Sequence, residues 1–219
     1  MFNPNKTAIT LICCLFISFN QAILAQHSSD NFNSEDFIKE GLEFYNQKNF
    51  DIAINSFQQA YLLDSKNSML LYYIAKGYDN LENYKNAIYY YKKAIDLNKD
   101  LYAAWYNLGI IYVKQNRYKD AINFFEGALK SNKKLYQAYY NIANIYFEQK
   151  KYQAAIDNYL NAIKINPDYP EAYYNLACIY EQTDQIHKAI KHFEKYLLLK
   201  PDDSSVKEHI ELMQSNSKG

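Results

Sequence analysis

A window of 34 residues slid along the chain matches itself five times without insertion or deletion, so the chain must stack one repeated unit. In the clearest copy Trp105, Leu108, Gly109 and Tyr112 stand at i, i+3, i+4 and i+7, the spacing of one helical face. Ala121, Phe125 and Ala128 then keep helical spacing again, and the polar residues 114–117 separate the two runs. Each copy predicts two amphipathic helices joined by a tight turn.

The repeated slots have a packing logic. Gly41, Ala75, Gly109, Ala143 and Ala177 fall 34 apart in the first helix, and Ala53, Ala87, Ala121, Ala155 and Ala189 do so in the second. Small side chains let two helix axes approach. Phe44, Tyr78, Tyr112, Tyr146 and Tyr180, with Phe57, Tyr91, Phe125, Tyr159 and Phe193, are the bulky partners that fill the remaining space. One helix pair cannot bury all of these rings, so the pairs are expected to stack into a solenoid.

Residues 105–112 (WYNLGIIY), 139–146 (YYNIANIY) and 173–180 (YYNLACIY), each followed by its Ala, aromatic and Ala slots, resemble tetratricopeptide repeats. Pro167 and Pro201 close the fourth and fifth copies as in that family. The resemblance spans residues 34–203 as copies 34–67, 68–101, 102–135, 136–169 and 170–203. It implies an all-α, right-handed superhelix of antiparallel helix pairs. Departures gather near the array ends. Phe37 and Glu40 stand in the first copy where the third has Trp105 and Leu108, and Tyr196 replaces the second small alanine of the last copy.

Both flanks read differently from the array. Lys6, an apolar run over residues 8–19 and a small residue at Ala25 predict a signal peptide over residues 1–25, or an N-terminal anchor if it is not cleaved. Either way the repeats are expected outside the cytoplasm, periplasmic or extracellular after cleavage and membrane-anchored otherwise. Residues 26–33 read as a flexible lead-in. Residues 201–205 carry a helix-start signal, and Val206, Ile210 and Met213 form an apolar stripe. Residues 204–219 are therefore expected to be a capping helix with a frayed tail.

Charge narrows the partners. The 24 lysines and arginines balance 24 aspartates and glutamates, so no basic excess exists to neutralise nucleic-acid phosphates. A membrane is reached only through an uncleaved N-terminal segment. After cleavage Cys178 would be the one remaining cysteine, either pairing between molecules or lying inert at a helix contact. No catalytic constellation, cofactor loop or metal site is expected. The glycines are scattered, and His187 and His192 lie on different faces of one helix.

One further periodic set lies off the core stripe. Tyr72, Tyr106, Tyr140 and Tyr174 recur every 34 residues, and Asn107, Asn141 and Asn175 follow the last three. Lys76 and Asn144 stand one turn further along their helices. The resemblance implies that these residues line a concave groove, where the asparagines hydrogen-bond the backbone of an extended peptide. The same recurrence also fits a purely structural role between helices. The expected function is a non-catalytic, exported interaction module for a protein or peptide partner. The alternative is a structural or assembly subunit of the cell envelope acting through self-association or its convex face.

Overall fold

Six helices start at residues 34, 68, 102, 136, 170 and 204, one at the head of each 34-residue copy and one beyond the last. The computed structural model describes residues 33–216. The segment read as signal or anchor, nearly all of the lead-in and the last three residues lie outside the described residues. Helices α1 (Ser34–Asn46) and α2 (Phe50–Leu63) form the first hairpin, and α3 (Ser68–Asn80) with α4 (Tyr84–Leu97) the second. The third is α5 (Tyr102–Lys114) with α6 (Tyr118–Ser131), and the fourth is α7 (Tyr136–Glu148) with α8 (Tyr152–Ile165). The fifth is α9 (Pro170–Gln182) with α10 (Ile186–Leu199), and α11 (Ser204–Asn216) closes the array. Each second helix also packs on the first helix of the next copy, so the chain is an all-α, right-handed solenoid as expected.

The core fills the predicted slots. Ala53, Ala87, Ala121, Ala155 and Ala189 are fully buried, and so are Phe57, Tyr91, Phe125 and Tyr159. A Cβ built on Gly109 would lie 2.5 Å from the Phe125 ring, and one on Gly41 would lie 2.6 Å from Phe57. At these two positions glycine is required by the close approach of a ring. In the first copy Glu40 is exposed, and among the described residues no hairpin precedes it. At the other end Val206, Ile210 and Met213 of α11 are buried. Tyr196, in the slot of a small alanine, donates its hydroxyl to Asp203, which also caps α11 by accepting from the Val206 amide. Asn33 similarly caps α1, and its partner Asp36 completes a capping box.

The turns inside the hairpins hold a feature that residue type does not reveal. Lys48, Glu82, Asn116, Lys150 and Asp184, again 34 apart, all have positive φ of 56–63°. In each turn the positive-φ residue and its successor donate back to the helix, as Glu82 N does to Asp79 O and Asn83 N to Tyr78 O. This is the Schellman ending, normally served by glycine. The left-handed conformation costs a β-carbon-bearing residue roughly 1–2 kcal/mol.

Aromatic stacks lock the two helices of a hairpin together. Tyr78 stacks on Tyr90, Tyr112 on Phe124 and Tyr180 on His192. The His192 Nδ1 is buried without a hydrogen-bond partner. Burial, and secondarily the charge of Lys191, hold this imidazole below its ordinary value near 6.5.

Two predictions follow from turn and stack. Glu82→Gly should raise the unfolding free energy by about 0.5–1 kcal/mol, the relief of strain less the added freedom of the unfolded chain. Equilibrium urea unfolding measures it. For His192, the unfolded chain takes up a proton more readily than the fold does, so stability rises with pH across this window. The wild-type protein should lose stability as pH falls through about 6.5, until the pH lies below the depressed folded value. His192→Phe, which places in the fifth copy the residue that the third has at Phe124, should remove that part of the pH dependence in thermal melts at pH 4.5–7.5.

Candidate functional site

Successive first helices lie side by side, and one register joins them. The Asn141 amide donates to the Tyr106 hydroxyl at 3.0 Å, and Asn175 to Tyr140 at 3.1 Å. Asn107 donates to Tyr91 at 3.1 Å and, more loosely, to Tyr72 at 3.5 Å. The separation from first helix to first helix is 35 residues each time. Tyr45 with Asn80 and Asp79 with Lys114 repeat it at 2.7 and 3.4 Å. One residue beyond the repeat period is thus the position directly across from a given side chain.

The pairing spends specific atoms. Each asparagine gives N–H groups to the preceding copy, while among the described residues the carbonyl oxygens of Asn107, Asn141 and Asn175 accept from nothing. The hydroxyls of Tyr72, Tyr106 and Tyr140 receive those bonds and retain their own protons for donation. Burial pushes Tyr72 and Tyr106 above the ordinary tyrosine value, which keeps both protonated. Asn144 is wired the other way. Its carbonyl accepts from Tyr159 and Asn175, leaving its amide N–H groups for other contacts.

The structure brings the remaining predicted residues to the same face. Lys76 lies over the rings of Tyr45, at 4.8 Å, and Tyr72, at 5.8 Å. Tyr174 is exposed and packs edge-on against Phe193 and Tyr196. Charges of both signs meet on this face, where Lys114 pairs with Asp79 and Glu181 with His209.

Two members of the face escaped sequence reasoning. His209 lies 35 residues after Tyr174, in the register of the ladder asparagines. It turns instead to Glu181 at 3.0 Å and meets the Phe193 ring edge-on. With Tyr174, Cys178, Ser205 and Val206 these residues line a cavity of about 370 Å³ at the junction with α11. Burial raises the Cys178 thiol, with Glu181 adding to the effect, so the thiol lacks the activation of a nucleophile. The second is Tyr159, a core ring whose hydroxyl emerges to join Asn144. The 35-residue register would have found His209, because counting from Tyr174 suffices.

A double-mutant cycle of Tyr106→Phe and Asn141→Ala should give a coupling energy of about 0.5–1 kcal/mol in urea unfolding, the net contribution of one half-buried hydrogen bond. A value near zero would mean that the ladder does not bind the copies to one another.

Families described as tetratricopeptide repeat match residues 38–100 and 170–203, and one described as TPR repeat matches 143–184. A family described as anaphase-promoting complex, cyclosome, subunit 3 matches residues 80–162. No curated protein matches. Among solved structures, a MamA protein is 25% identical over 75% of this chain and 96% of its own, with a TM-score of 0.68. MamA from Desulfovibrio magneticus RS-1 is 18% identical, covering 78% of this chain and 96% of its own at 0.68. YrrB, described as a TPR protein with an unusual peptide-binding site, is 19% identical over 86% of this chain and 97% of its own at 0.66.

Proposed function

The chain belongs to the tetratricopeptide-repeat family, and from that premise we propose that it is a non-catalytic interaction module whose first-helix face receives an extended segment of a protein partner. The observation that carries this reading is the balance of unspent atoms. After internal pairing, the Tyr72–Asn107, Tyr106–Asn141 and Tyr140–Asn175 pairs each keep one hydroxyl donor and one carbonyl acceptor. One donor and one acceptor are what a peptide unit takes. The tyrosine rings add rigid contact area at low entropic cost. A peptide-binding site in the structurally similar YrrB supports the same direction.

We place the module outside the cytoplasm. The basis is the apolar run over residues 8–19 and the small residue at Ala25. N-terminal sequencing of protein from its own cells should read Gln26 first. A second reading, assembly through the convex side, is favoured by exposed Ile52, Leu62 and Leu63 on α2.

Ile110 is half-buried among the ladder residues and makes no hydrogen bond through its side chain. In affinity purification from the native cells, Ile110→Glu should abolish recovery of the partner while leaving the helical circular-dichroism signal intact. Undiminished recovery contradicts the groove reading. Concentration-dependent self-association that is insensitive to Ile110→Glu would establish the second reading instead.

A further inference from the structure

The junction between the third and fourth copies reverses the charge of its neighbour. At the preceding junction Lys99 pairs with Asp96 at 3.0 Å, and Asp100 follows. Counting on by 34, those three slots hold Lys133, Lys130 and Lys134. Two carboxylates and one amine have become three amines. Among the described residues no carboxylate pairs with Lys130, Lys133, Lys134 or Lys164.

Helix ends explain only part of this. Lys130 and Lys164 lie in the last turns of α6 and α8, where a cation is favoured by the helix dipole. Lys133 and Lys134 stand just before Leu135, the N-cap of α7, at a helix start, where a cation is disfavoured. Both are exposed, and neither has a carboxylate partner among the described residues.

Beside them is an open space. Lys133, Lys134, Tyr139, Asn161, Lys164 and Ile165 line a cavity of about 460 Å³. At the equivalent place one copy earlier Trp105 covers Gly127, where an added Cβ would lie 2.3 Å from the indole. Its Nε1 also donates to the Lys99 carbonyl at 2.9 Å. In the fourth copy Tyr139 and Asn161 occupy those two slots. The position that an indole seals in one junction is in the next a cavity lined by three lysines, a tyrosine, an asparagine and an isoleucine.

We infer that this cavity binds a phosphate-bearing ligand, either free in solution or carried on a side chain of a partner. A phosphomonoester is close to dianionic at neutral pH and presents three strong acceptor oxygens. That matches three lysines around one cavity better than a single carboxylate does, which brings one charge. Lysine serves such a group as a point charge. The cavity lining shares no residue with the ladder, so the inference does not rest on how the first-helix face is used.

The test is a nuclear magnetic resonance titration of the whole protein with inorganic phosphate and, separately, with O-phosphoserine, each against sodium chloride at matched ionic strength. Saturable amide shifts confined to residues 133–139 and 161–165 are expected. The triple variant Lys133→Gln, Lys134→Gln, Lys164→Gln should weaken binding about tenfold or more while keeping the helical signal. Ile110→Glu should leave phosphate binding unchanged, which separates this inference from the groove reading. Tighter binding of phosphoserine assigns the ligand to a modified side chain, and equal binding assigns it to the free anion. Shifts that chloride reproduces, shifts that do not saturate, or a triple variant that binds like the wild type would overturn the inference.

Discussion

Close approach of paired helices sets everything else in this molecule. In the first and third copies a phenylalanine ring of the second helix lies so near a glycine of the first that a single added carbon would collide with it. The buried alanines repeat the arrangement in the other copies, with Tyr91, Tyr159 and Phe193 as the rings. Because the same pair of sizes returns every 34 residues, each hairpin offers its neighbour a surface of the same shape. Interiors packed this closely have little tolerance for variation, so a constant pitch follows from constant side-chain volume.

A constant pitch turns one sequence offset into a spatial neighbourhood. Residues 35 apart face each other across adjacent first helices, whether they are tyrosine and asparagine, tyrosine and asparagine amide at the helix end, or aspartate and lysine. The ladder therefore does two things with one set of atoms. The asparagine N–H groups tie copies together, and the remaining tyrosine protons and asparagine carbonyls are turned over to whatever lies on that face. At the last step the pattern changes, as His209 leaves Tyr174 and turns to Glu181 beside α11.

Much of this was legible in the residues. The 34-residue period placed the helices, the small and bulky slots and the cap, because size and hydrophobicity act at the level of residue type. The ladder was legible only in position. Its donors are spent on an adjacent copy, which depends on which helices become neighbours and on side-chain orientation. The left-handed turn residues were hidden for a different reason. Lys48, Glu82 and Lys150 are not residues that signal positive φ, and their conformation is imposed by the hairpin around them. The cavity at the third junction was also hidden, since it arises from Tyr139 and Asn161 failing to fill space that Trp105 fills over Gly127 one copy earlier.

If interchangeable surfaces at constant pitch are the basis of the fold, one whole copy can be removed without harm to the rest. Excision of residues 102–135 joins Leu101 to Tyr136, brings Asn141 into the register of Tyr72, and sets α7 against α4. The shortened protein should retain its helical circular-dichroism signal per residue and melt cooperatively at a lower temperature. Loss of helicity, or melting without cooperativity, would contradict the account.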